Sequence, residues 1–136
     1  MKPESKPEKP LEVQKIIQQA VDLILKEDKE KIKAILLFGS HADGTAIWRS
    51  DIDIGVLFKE TLSLREATLF RIKISAELPD IVDIQVFNTL PQKIKKSIAD
   101  NHKILFSTPL FDDFNFTLGT QKLFFESKRK LVAIPA

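Results

Sequence analysis

Apolar and polar positions recur at two different periods along this chain, and each change of period marks an element. Between residues 11 and about 29, Val13, Ile16, Ile17, Ala20, Val21, Ile24 and Leu25 return at helical spacing with Lys and Glu between them, which predicts an amphipathic helix. Residues 34–38 form a short apolar run that predicts a buried strand, and a second strand follows over 51–58. Ser63 and Glu66 match a capping box opening a helix that runs to about residue 78, where Pro79 stops it. Residues 80–87 alternate as a third strand, with Asp83 and Gln85 on one face and Val82, Ile84 and Val86 on the other. Pro91 opens a helix to residue 99, and 103–106 is a short fourth strand. Beyond it, Gly119 interrupts any single helical pattern, so a helix is expected only over about 121–132. This order predicts an α+β fold, a small mixed β-sheet with helices packed on one face and the polar face left partly open.

The same pattern divides the chain. Residues 1–10 carry Pro3, Pro7 and Pro10 among alternating Lys and Glu, a composition expected to stay extended or disordered as a tail. Residues 11–108 form the predicted domain. Residues 109–136 are an extension in which Phe111, Phe114, Phe116, Phe124 and Phe125 make up half of the ten phenylalanines; it is expected to pack on the domain or on a partner.

Composition narrows the chemistry. A chain of 136 residues with 43% apolar and 29% charged residues suits one soluble domain. No apolar run approaches the roughly 20 residues of a membrane span and the first residues lack a signal-peptide core, so no membrane partner and a cytoplasmic location are expected. The absence of cysteine excludes disulfides, thiolate catalysis and zinc-thiolate sites. His41 and His102 are too few for a histidine-rich metal site, and a net charge of +2 gives no footprint for direct nucleic-acid binding.

Asp51 and Asp53 stand out against this background. Asp is depleted in strands, yet alternation places both on one face while Ile52, Ile54 and Val56 point to the other. Two carboxylates about 5 Å apart repel by roughly 3 kcal/mol at an effective dielectric near 20, so a cation is expected to offset them. Upstream, Gly39 lets the backbone approach a phosphate closely, and Ser40 offers a hydroxyl and an amide.

The run Leu37-Phe38-Gly39-Ser40, the segment Ser50-Asp51-Ile52-Asp53-Ile54-Gly55-Val56 at its fixed spacing, and Asp83 on a later strand resemble the minimal nucleotidyltransferases of the polymerase-β-like nucleotidyltransferase superfamily. The resemblance covers residues 11–106. It implies that fold, a transfer of AMP from ATP, and Asp51, Asp53 and Asp83 as catalytic residues and ligands of two Mg²⁺ ions. Such ions prefer carboxylate and phosphate oxygens and can clamp the attacking and leaving oxygens, while Asp83 can also receive the acceptor's proton. Gly39 and Ser40 are then nucleotide-binding, as is Arg49 if it reaches the triphosphate rather than standing exposed in its loop. His41 and Asp43 occupy positions where many relatives carry basic or small residues, Gly44 is expected to make a turn, Asn101 to take a left-handed turn conformation, and His102 to lie at the surface.

Proteins of this kind are often encoded beside a HEPN-domain toxin whose tyrosine accepts the nucleotide. The resemblance therefore implies an antitoxin that adenylylates a HEPN toxin, and this chain, which has no tyrosine, is not its own tyrosine acceptor. Two alternatives stand beside it: a small-molecule (antibiotic) nucleotidyltransferase, for which 136 residues leave little room to build an acceptor pocket, and a non-catalytic antitoxin that binds through its phenylalanine-rich end. Base preference, the number of nucleotides added and oligomeric state have no sequence signal.

Overall fold

The computed structural model describes residues 10–47 and 50–132. α1 (Pro10–Asp28) leads through a 3₁₀ turn (Lys29–Lys31) into β1 (Ile32–Phe38), and a one-turn helix, α2 (Ser40–Asp43), precedes β2 (Ile52–Phe58). Then come α3 (Leu64–Ser75), β3 (Val82–Val86), a second 3₁₀ turn (Phe87–Thr89), α4 (Gln92–Asp100), β4 (Lys103–Ser107) and α5 (Asp113–Val132). The strands lie in the order β3-β2-β1-β4. β1 runs antiparallel to both neighbours and β2 parallel to β3, so the sheet is mixed, with α3 as the crossover that a parallel pair requires. The expected disordered tail lies outside the described residues except for Pro10, which opens α1.

Strand alternation sorts the sheet into two faces. On the first, Ile35, Leu37, Ile52, Ile54, Val56, Val82, Ile84 and Val86 meet α1 through Ile17, Ala20, Val21 and Ile24, and α3 through Ala67, Phe70 and Ile74. α3 begins with the expected capping box: the Ser63 hydroxyl accepts from the Glu66 N–H and the Glu66 carboxylate from the Ser63 N–H. It closes at Ser75 rather than near residue 78, because the N–H groups of Glu77 and Leu78 bond to the carbonyls of Ile74 and Ser75 in tighter turns ahead of Pro79.

The helices are not confined to that face. On the second, Ala34, Leu36 and Leu57 form a smaller cluster with Phe87 and with Ile98 of α4, and Phe111 and Phe116 pack against it. α4 and the start of α5 thus cover one end of the face, where its strand residues are apolar. Asp53, Asp83 and Gln85, on the same face, are only half-buried.

α5 starts at Asp113, well before the expected residue 121, and Gly119 lies inside it without positive φ. An interior glycine costs about 1 kcal/mol relative to alanine, which docking of the helix offsets. Gln121 Nε2 donates to Asp100 of α4 at 2.8 Å. His102, expected at the surface, has a side chain only 6% exposed. Its Nδ1–H donates to the Ile98 carbonyl at 2.8 Å, its Nε2 faces Asp113 at 2.6 Å, and its ring meets Phe116 edge-on. Asn101, at φ −153°, is extended rather than left-handed, since its N–H turns back to the Ile98 carbonyl without a change of φ sign. Among the described residues no helix is long and apolar enough to cross a membrane.

Asn88 fixes the far end of β2. Its Oδ1 accepts the Phe58 N–H at 2.9 Å and its Nδ2 donates to the Phe58 carbonyl at 3.2 Å, around a residue that is 2% exposed. Asn88→Leu removes both bonds and is expected to lower stability by about 2 kcal/mol in urea unfolding, with the m-value unchanged.

Candidate active site

The chain leaves β1 through Gly39 at φ +72°, a backbone conformation that side chains other than glycine's disfavour. A Cβ at this position would come within 2.2 Å of the Asp53 carboxylate. Gly39 is thus held to glycine both by its own backbone and by the acid it lies against. α2 follows for one turn and ends at Gly44, left-handed at φ +84°. The Ser40 carbonyl accepts the N–H groups of Gly44, Thr45 and Ala46, each at 3.1 Å, while the Ser40 hydroxyl bonds to no described residue.

Asp43 is exposed, but its carboxylate is engaged within its own turn. Its Oδ1 accepts the Thr45 N–H at 2.9 Å and the Thr45 hydroxyl at 2.5 Å, closing a turn on itself. Those two bonds, the hydroxyl's foremost, hold its carboxyl below the usual carboxylate range. The negative charge of Asp43 is therefore absorbed locally.

Asp53 and Asp83 are register partners across the parallel pair β2–β3, one strand spacing apart on the same face. On its other side Asp53 pairs with Phe38, the residue before Gly39, so the turn and the two acids are brought to one end of the sheet. Asp51 stands exposed just before β2. Partial burial, then the negative charges of Asp83 and Asp51, push the Asp53 carboxyl up to about 6, with His41 acting in the opposite direction. The charged form is thus disfavoured first by burial and then by the neighbouring acids.

The donors here are all carboxylate oxygens, which suits a hard divalent cation such as Mg²⁺, and the unbalanced charge at Asp53 fits one. Among the described residues, however, no three His, Asp or Glu side chains converge closely enough to hold a single ion. Asp83 instead accepts from Gln85 Nε2 at both oxygens, 3.1 Å each. Gln85 could have been found from the sequence, since alternation places it on the face of Asp83.

The segment between α2 and β2 is tied by Ser50. Its N–H donates to the Ile47 carbonyl at 2.9 Å, its hydroxyl accepts the Ile47 N–H at 2.9 Å, and its carbonyl faces His41 Nε2 at 3.2 Å. Neither the role of Ser50 nor that of His41 has a sequence signal, because both depend on how the loop folds back. Arg49 lies outside the described residues.

Comparison with known proteins bears on the family of the chain. A family model described as polymerase beta, nucleotidyltransferase, matches residues 12–109. Over 80 residues the chain is 36% identical to a protein of Methanocaldococcus jannaschii assigned as a protein adenylyltransferase, covering 59% of this chain and 60% of that one, so it spans less than two thirds of that relative's length. Over 112 residues it is 27% identical to the protein adenylyltransferase MntA of Shewanella oneidensis, covering 82% of this chain and 80% of that one. It superposes with a TM-score of 0.66 and 26% identity on a chain from a crystal structure of a toxin-antitoxin with AMP-PNP, covering 85% of this chain and 94% of that one.

Two outcomes follow from the geometry. Gly44→Ala adds a Cβ that meets nothing within 4 Å, so only its positive φ should matter, about 1 kcal/mol. Gly39→Ala adds the collision with Asp53 and should cost clearly more, about 2–3 kcal/mol, read as the lower urea midpoint of the two. For Asp53, a folded-state pKa raised from 3.8 to about 6 means that the folded chain holds the extra proton between those values; this stability is present below pH 4 and lost as pH rises through 6. In the absence of divalent ions, Asp53→Asn should therefore gain on the parent chain by about 1 kcal/mol between pH 4 and 7, a figure already reduced for the solvent that reaches this carboxylate. Parallel melting curves across that range measure it.

Proposed function

The chain belongs to the polymerase beta nucleotidyltransferase family, with the α+β fold of that family, and from that membership we propose that it is a Mg²⁺-dependent protein adenylyltransferase acting on a partner HEPN toxin. The observation that carries the reading is the Asp53–Asp83 register pair with Gly39 pressed against Asp53, an arrangement that concentrates negative charge beside a turn able to approach a phosphate. Resemblance to protein adenylyltransferases supports protein as the acceptor, and the toxin-antitoxin structure with AMP-PNP supports ATP as the donor and a toxin as the partner.

In this reading the acceptor hydroxyl oxygen attacks the α-phosphorus of ATP, the bond to the β-phosphate's bridging oxygen breaks, and pyrophosphate leaves. Asp83 takes the hydroxyl proton once its carboxylate has turned from Gln85 Nε2. Asp51 and Asp53 would hold the divalent ions, with Asp83 completing the acceptor-side set. Bound Mg²⁺ supplies charge neutralisation at the attacking and leaving oxygens. Gly39 allows the triphosphate close to the backbone, and the Ser40 hydroxyl, uncommitted among the described residues, is available as a donor; Arg49 would add charge from the loop. The acceptor is a tyrosine of the toxin, and the exposed side of α5, where Phe114 is 70% and Phe125 56% exposed, offers apolar surface for that partner.

The chain, Mg²⁺, ATP and the HEPN protein encoded beside it are to be incubated together and both proteins weighed intact. One or more AMP units on the partner, absent with Asp53→Ala and absent without ATP, is the expected result. A stable complex without any mass increase, or an Asp51→Ala/Asp53→Ala chain that neutralises the toxin as well as the parent does, would replace the enzyme by a binding antitoxin.

A further inference from the structure

The acids of the candidate site are attached to the sheet in unequal ways. Asp53 and Asp83 sit inside strands, fixed by the ladder of β2 and β3, whereas Asp51 precedes β2 and its position depends on the segment that delivers it. That segment ends on Ser50, whose N–H, hydroxyl and carbonyl are all engaged. Two of these bonds return to Ile47 and merely close the turn on itself. The third, from His41, is the described side-chain bond joining the turn to α2.

We infer that His41 is a positioning residue, which sets Asp51 and the entry to β2 relative to the Gly39-Ser40 turn by donating from Nε2 to the Ser50 carbonyl. A carbonyl only accepts, so the ring presents its N–H at Nε2. His41 lies in the first turn after Gly39 and is half-buried, so its Cα is placed by the same short helix that places Ser40. The Phe38–Asp53 pairing already ties the turn to Asp53, and this hydrogen bond ties the residue before Asp51 to the same turn. The consequence for transfer rests on the proposed function, but the positioning itself does not.

Variants separate the two. Glutamine reaches about as far as Nε2 and can donate to the same carbonyl; asparagine matches Nδ1 and cannot. Backbone amide shifts of Ser50, Asp51, Ile52 and Asp53, recorded by NMR on the full chain, should move in His41→Ala and His41→Asn and return toward the parent positions in His41→Gln. In AMP transfer to the partner, His41→Ala should lower kcat by about 10–100-fold with KM for ATP changed much less, as displacement of reacting groups by an ångström or less does, and His41→Gln should recover most of it. Amide shifts that stay put in His41→Ala, or that His41→Gln fails to restore, would overturn the inference. Restored shifts with unrestored kcat would overturn it as well, since the imidazole would then be acting directly. Absence of transfer by the parent chain would count against the proposed enzyme alone, and the amide shifts would still decide the role of His41.

Discussion

Negative charge gathered at one end of a sheet is the constraint around which this molecule is organised. Asp53 and Asp83 are placed side by side by the register of β2 and β3, and Asp53 feels both its burial and the negative charges of Asp83 and Asp51, with His41 opposing them. The sheet tolerates this because the opposite face of the same strands is sealed: Ile52, Ile54, Val56 and Ile84 are essentially without exposure beneath α1 and α3. Burying such side chains is worth about 1.5–3 kcal/mol each, enough to hold two carboxylates in a register that repels them. The strain is local and the support for it is distributed.

That division of labour explains why much of the fold could be read from the sequence. Alternation over residues 82–86 gave the face of Asp83 and Gln85 as well as the strand itself, and the Ser63–Glu66 pair gave the start of α3. The Gly39-Ser40 turn and the Asp51-x-Asp53 pair were visible because their chemistry is unusual for the places they occupy. What the sequence concealed was tertiary. His102 is a polar residue next to a turn and reads as exposed, yet acceptors from Ile98 and Asp113 bury it. Gly119 disfavours helix in isolation, and only docking against α4 shows why α5 runs through it. The covering of the second face by α4 and α5 was hidden for the same reason: Leu36 and Leu57 show that something apolar must cover them, without saying which segment does.

The site shows a similar limit. Residues whose roles follow from type and spacing were identifiable, whereas those whose roles follow from a loop's return path were not. Asp43 illustrates the difference. By charge alone it opposes a phosphate site, but in the folded turn its carboxylate is taken up by Thr45.

α5 carries one more implication. Among its described residues only Thr120 is buried; the helix is retained by polar contacts to α4 and to His102 ahead of β4 and by the half-buried Phe116, while the apolar bulk of the core belongs to other elements. Elements held in this way, with few buried apolar side chains of their own, stand toward the low end of local stability. The acids are thus held by strands that the main core secures, while α5 is secured at the smaller cluster on the other face. Because the register of Asp53 and Asp83 is set by the backbone ladder of β2 and β3, the exposed apolar residues of α5, Phe114, Leu118, Leu123 and Phe125, can vary without any of that ladder being remade.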